Sequence, residues 1–327
     1  MDRGERDVTT TLPPIPDGLR ARAERLGADG VRWFEQLPAL LTEAATHWRL
    51  ELGYGLDVPL DALVVRGRNS QGPVTLKLCA PGYPFERETA VLDAARGRGY
   101  VRLLHSDAGR RALLLEAVGP ELDAVELERR IGAHGVRSVL AKTLAAAWTV
   151  PPATLPATEP QDHPAARLRE IVAAHPCPDD IADGHRAIER ALAYAERLVE
   201  LGDTTEVVAH GNPSPAHFQR VQSGRPGAET GYVLVAPLGL RTAPEYDLGV
   251  LLRDTNRPLL AAEDPVVLAR QWCAQLAGET GCDAELIWQW SYLQRVAHGL
   301  EAAQGSSALL GRTYLQTAVG LVSRRRG

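Results

Sequence analysis

The residues best placed to do chemistry lie between positions 207 and 248. A short apolar run, Val207-Val208-Ala209, leads into His210-Gly211-Asn212-Pro213-Ser214-Pro215-Ala216-His217-Phe218. A second apolar run, Tyr232-Val233-Leu234-Val235, is followed by Ala236-Pro237 and then by Pro244-Glu245-Tyr246-Asp247-Leu248. Two short strands around a turn-rich loop would hold polar side chains at their ends. Asn212 can hydrogen-bond a hydroxyl but cannot take its proton, so it is no general base. His210 and His217 could be read as a metal pair. They have no third His, Cys or carboxylate at ligand spacing, so no metal site is expected.

Elsewhere the composition points to Lys77. Of 36 basic residues only Lys77 and Lys142 are lysines. In a chain so biased toward Arg, a retained Lys suggests a need for a compact ammonium on a flexible stem. Lys77 sits in Val74-Thr75-Leu76-Lys77-Leu78, a strand-like segment.

The bulk properties exclude several classes. A net charge of −5 and a pI near 6.0 leave no electrostatic footprint for nucleic acid, and Arg324-Arg325-Arg326 reads as a solvated tail. No apolar stretch approaches the ~20 residues that span a bilayer. Met1 to Asp17 is charged and Pro-rich, without the apolar core of a secretory signal. Cys79, Cys177, Cys273 and Cys282 lie far apart and read as reduced, packed thiols. The expectation is a cytoplasmic protein of 327 residues, large enough for one big domain or two packed lobes.

The elements that must position these residues follow from periodicity. Residues 18–48 read as one or two helices with Trp33, Leu37, Leu40, Leu41 and Ala45 on one face. Strands are expected at 60–65 and 74–78, a helix at 85–96, and strands at 100–104 and 112–115. Strand, strand, helix, strand, strand gives a small antiparallel sheet with one helix against it. Residues 122–148 and 181–201 read as helices, separated by a Pro-rich loop with one short helix. After Asp247 the chain reads as helical to its end, with segments at 259–279, 284–304 and 307–324.

In this order the motifs resemble the aminoglycoside phosphotransferases, whose loop reads roughly His-Gly-Asp-Leu-His-x-x-Asn and whose next strand ends in Ile-Asp-Pro. Asp17-Gly18-Leu19 with Trp33-Phe34-Glu35-Gln36-Leu37-Pro38-Ala39-Leu40, and Tyr100-Val101-Arg102-Leu103-Leu104-His105-Ser106-Asp107, are similar to the streptomycin 6-kinase and hydroxyurea phosphotransferase branch. The resemblance implies an α+β, two-lobed protein-kinase-like fold. Residues 1–116 would form an N-terminal lobe with a helical extension and a small antiparallel sheet. Residues 117–327 would form a mostly helical lobe carrying the degenerate loop, with a cleft between the two.

The resemblance also assigns roles. Lys77 would meet the phosphates with Glu88 of the following helix as its ion-pair partner, and the backbone near Glu116 would meet the adenine. Gly53 and Gly55 fall near the phosphate-covering loop, where Asp57 and Asp61 would repel a triphosphate. The family's catalytic Asp falls on Asn212, its metal-binding Asn on His217 and its metal-binding Asp on Ala236. His210 and Asp247 match the family in structural roles, Asp247 anchoring the loop backbone and capping the next helix.

These departures lead to the expectation of a catalytically disabled kinase homologue, in antibiotic or secondary metabolism. Its cleft would bind a small molecule or support a repurposed reaction, with no cofactor. One alternative is an unconventional O-phosphotransferase using ATP and Mg²⁺, with carboxylates such as Glu245 or Asp162 replacing the missing ligands. Another is a non-enzymatic scaffold for a protein partner.

Overall fold

The computed structural model describes residues 12–58, 60–203, 205–305 and 307–322. The first eleven residues and the Arg324–Arg326 tail lie outside the described residues, as does the end of the helix expected to reach 324. The chain divides into two compact units: residues 1–97 with 101–119, and residues 98–100 with 120–327.

The first unit opens with α1 (Asp17–Arg25) and α2 (Gly27–Trp48). Trp33, Leu37, Leu41 and Ala44 recur at helical spacing on α2 and are buried, which fixes the face it presents to the core. Five strands follow: β1 (Glu51–Leu56), β2 (Ala62–Asn69), β3 (Gly72–Cys79) and, after α3 (Phe85–Ala95), β4 (Leu103–Asp107) and β5 (Ala112–Glu116). Their order is β1-β2-β3-β5-β4, antiparallel throughout. Leu63, Val65, Val74, Leu76, Leu78, Ala112 and Leu114 share a core with Leu19, Trp33, Leu37 and Leu41 from the two leading helices.

The second unit is helical around one buried rod. Its elements are α4 (Ala124–Ala147), α5 (Pro164–Ala174), α6 (Gly184–Leu201), β6 (Val207–Ala209), β7 (Phe218–Arg220), β8 (Tyr232–Leu234), β9 (Leu240–Thr242), α7 (Glu245–Arg253), α8 (Asn256–Ala261), α9 (Pro265–Thr280), α10 (Ala284–Gln304) and α11 (Ala308–Val322). α10 is buried on every face from Ile287 to Ala297, as expected of a helix whose apolar residues do not cluster on one stripe. At Gly249 a Cβ would lie 2.7 Å from Trp290 Cβ, so only glycine lets α7 cross α10 this closely. Arg295 is buried on α10 and forms no ion pair with a carboxylate among the described residues. It donates to Asn256 Oδ1 and to Leu252 O, a carbonyl at the end of α7 that also accepts the Thr255 hydroxyl.

Several elements were absent from the sequence reading. β1, β7 and β9 have no clear apolar alternation: β1 carries two glycines, and the others are three residues long. The strand expected at 100–104 begins at Leu103. Tyr100 instead forms a parallel bridge to Leu234, and Leu234 N–H donates to Gly99 O at 2.8 Å. Residues 98–100 thus join the second unit although the chain on both sides belongs to the first.

Candidate functional site

In the first unit, Lys77 lies on β3 and Glu88 on the first turn of α3, and the two meet. Lys77 Nζ donates to Glu88 Oε1 at 2.8 Å and Oε2 at 2.7 Å, and to the Tyr83 hydroxyl at 2.6 Å. An ammonium has three N–H donors, and each has an acceptor here. Its charge also lies 4.3 Å from the centroid of the Tyr83 ring. Lys77 is 2% exposed and Glu88 0%. Burial, together with the Glu88 charge, drives the Tyr83 phenol far above its ordinary range. Tyr83 comes from Ala80-Pro81-Gly82-Tyr83-Pro84, the turn between β3 and α3, and nothing in the sequence marked it as a partner of Lys77.

Glu116 ends β5. Its Oε1 accepts the Arg102 N–H at 2.8 Å, and its own N–H goes to Arg102 O at 3.0 Å. Gly53 and Gly55 lie inside β1, not in the β1–β2 connection. A Cβ at Gly55 would approach Pro14 O to 3.0 Å, so the backbone of the leading segment passes close there. Asp57, in the connection, lies 3.5 Å from Arg22 of α1.

In the second unit the loop after β6 hangs from Asp247. This carboxylate, fully buried near the start of α7, accepts His210 N–H (2.8 Å) and Trp148 Nε1–H (2.9 Å) on Oδ2 and Gly211 N–H (2.9 Å) on Oδ1. Burial pushes its pKa up to about 6, and the three donors pull against that rise. Gly211 has φ +94°, and a Cβ there would lie 2.9 Å from Leu238 Cβ, so a side chain would be both strained and crowded. His210 is 0% exposed. Its Nδ1 accepts the Asn212 N–H at 3.2 Å, which leaves Nε2–H to donate to Val235 O at 2.9 Å. Both ring nitrogens of His210 are thus engaged in shaping the loop.

The three altered positions lie in the same loop and at the end of β8. Asn212 Oδ1 accepts from Arg253 Nη2 at 3.2 Å. His217 Nδ1 accepts the Ser214 hydroxyl at 2.9 Å and closes a capping box on the single 3₁₀ turn Pro215–His217. Ala236 has φ +55° and is buried. A non-glycine residue rarely holds that conformation, and Asn or Asp tolerates it better than Ala because a short polar side chain can bond locally. The backbone at 236 thus has the shape that suits an aspartate, with a methyl group in its place.

Arg253 was not foreseen. It pairs with Asp254 (Nε to Oδ1, 2.8 Å), and Asp254 also accepts the Tyr314 hydroxyl at 2.7 Å. The Arg253 charge holds the Asp254 carboxyl below the usual range against the opposing effect of burial. Nothing in the spacing of the sequence links Asn212 to a residue 41 positions later. The carboxylates proposed as replacement ligands are engaged elsewhere. Glu245 Oε1 accepts the Asp283 N–H at 3.0 Å, and Asp162 is paired with Arg167 at 2.6 Å. Among the described residues no group of three His, Cys, Asp or Glu is placed to hold a metal ion. The residues present therefore do not fit a nucleotide-bound divalent cation: one expected ligand is a methyl group, and the other is a ring nitrogen bonded to Ser214.

Solved structures share the architecture. The choline kinase LicA from Streptococcus pneumoniae superposes with a TM-score of 0.58 at 15% identity, covering 88% of this chain and 100% of that one. The aminoglycoside phosphotransferase APH(4)-Ia gives 0.54 at 12% identity, covering 88% and 100%. A Plasmodium vivax ethanolamine kinase gives 0.52 at 12%, covering 88% of each chain. At these identities the likeness establishes a kinase-like fold: an antiparallel sheet in one unit and helices in the other. No curated protein matches the sequence. The family profile described as aminoglycoside/hydroxyurea antibiotic resistance kinase matches residues 60–305, most of the chain, and the protein belongs to that family.

Proposed function

We propose that this protein is a catalytically disabled member of its kinase family, retained to bind a small molecule and not to transfer phosphate. One observation carries the reading: at every position where the family's chemistry would act, the polar atom is missing or already engaged within the protein. Ala236 has no oxygen. Asn212 has its oxygen on Arg253 and no basic atom. His217 bonds Ser214 through Nδ1. Lys77 spends all three N–H groups on Glu88 and Tyr83. Loss of the base alone would cost roughly 10²–10⁴ in rate. Loss of the metal platform acts on the same transition state, because phosphoryl transfer depends on cations that neutralise the phosphate oxygens. Glu245 already accepts the Asp283 N–H and Asp162 pairs with Arg167, which weighs against an ATP-dependent O-phosphotransferase with relocated ligands.

Calorimetric titration with ATP, with and without Mg²⁺, tests the loss of the metal platform. The expected result is no increase in affinity when Mg²⁺ is added. A Mg²⁺-dependent gain of tenfold or more would show that a metal site survives and would overturn the reading.

A further inference from the structure

The hydrogen-bond polarity of Asn212 is fixed by its neighbour. A guanidinium donates and never accepts, so the amide atom facing Arg253 Nη2 at 3.2 Å must be Oδ1. The –NH₂ group therefore points away from Arg253. Asn212 is half-buried, and its Nδ2 has no partner among the described residues. The arrangement is held from behind. Arg253 Nε and Nη2 bond Asp254 at 2.8 and 3.2 Å, and Tyr314 donates to Asp254 at 2.7 Å. A carboxamide whose oxygen accepts from a cation is polarised, and its N–H groups become stronger donors.

An aspartate in this place would give one oxygen to Arg253 and present the other as an acceptor able to take a proton. Asparagine presents two donors there. The carboxylate that anchors the loop, Asp247, is fully buried with both oxygens engaged, so it adds no exposed acceptor. The side of Asn212 turned from Arg253 is thus suited to an acceptor and not to a hydroxyl that must be deprotonated.

We propose that the loop of the second unit binds an oxyanion of a small molecule, a carboxylate or a phosphoryl group, through the Asn212 amide with Arg253 as its positioning residue. This rests on the disabled-kinase reading and names the class of ligand that the altered loop takes. The chemistry is shared by carboxylates and phosphates, so the test has two arms. The full-length protein is titrated with inorganic phosphate and, separately, with acetate, without nucleotide and at constant ionic strength, following the Asn side-chain amide resonances by NMR. Saturable shifts of the Asn212 –NH₂ signals are expected in at least one arm, and the responding arm names the group. Asn212→Asp, which sets a carboxylate against the anion, should weaken that binding at least tenfold. Asn212→Ala, which removes the donors without adding charge, should weaken it several-fold and serves if the Asp variant is poorly folded. Absence of saturable binding in both arms, or affinities for both variants within twofold of the native protein, would overturn the proposal. The two readings fail separately. A flat titration removes the oxyanion site and leaves the disabled-kinase reading standing, whereas phosphate transfer from ATP overturns that reading whatever the titration gives.

Discussion

Lys77 shows how a lysine that the family resemblance assigns to phosphates can be held by the protein itself. Glu88 accepts two of its N–H groups and the Tyr83 hydroxyl the third. The pair is therefore judged by the energetics of buried ions. Removing one partner of such a pair leaves the other charge buried and uncompensated, at a cost of ~3–5 kcal/mol. Lys77→Ala should lower the unfolding free energy in urea by about that amount, because Glu88 is 0% exposed. Replacing both ions together, as Lys77→Met with Glu88→Leu, should recover most of the loss. A Lys77→Ala protein within about 1 kcal/mol of the native one would mean that Glu88 finds another partner or a proton at little cost. The scarcity of lysine was legible in the sequence and pointed to this position. The reason for its retention was not, because Tyr83 reaches it through a turn whose course depends on packing.

At the scale of elements, the loop after β6 is held by a helix start. Asp247 on α7 binds the loop backbone and, through Trp148, the end of α4, so one carboxylate ties three elements together. Its folded pKa of about 6 lies above the ordinary value of 3.8. A carboxyl shifted upward stabilises the folded state below its unfolded pKa, and that contribution is lost as the pH rises through the folded value. The window therefore runs from about 4 to about 6. The unfolding free energy of the native protein, relative to Asp247→Asn, should rise as the pH is lowered from about 7 to about 4. The slope should approach about 1.4 kcal/mol per pH unit inside the window. A difference that stays constant across this range in urea titrations would show that Asp247 titrates normally. The resemblance pointed to Asp247 as an anchor of the loop backbone. The helix cap expected of it is not formed, because Asp247 lies inside α7, whose N-cap is Pro244. The longer helices were readable from their periodicity. The short strands β7 and β9 were not readable, because three residues carry no period and their pairing is set by distant segments. Ala236 shows the same limit: its missing oxygen was plain in the sequence, but its left-handed backbone appears only in three dimensions.

At the scale of the whole molecule, the proposed loss of phosphate transfer draws on both units. In the first, a lysine that would meet phosphates is enclosed by its own neighbours. In the second, the loop after β6 and the segment following β8 carry Asn212, His217 and Ala236 where the proposal places the lost base and metal ligands. Family membership was legible because its signature is an order of motifs along most of the chain, matched over residues 60–305. The proposed function was less legible because it turns on donor and acceptor orientation at a few atoms, such as Asn212 Oδ1 facing Arg253. The most direct measurement of the central claim is mass spectrometry of streptomycin, related aminocyclitols and hydroxyurea after incubation with the protein, ATP and Mg²⁺. The triple variant Asn212→Asp, His217→Asn and Ala236→Asp is assayed in parallel. The account predicts no phosphorylated product from the native chain, and little rescue from restoring any one position alone, because base and metal serve one transition state. Robust formation of a phosphorylated product by the native chain would contradict it.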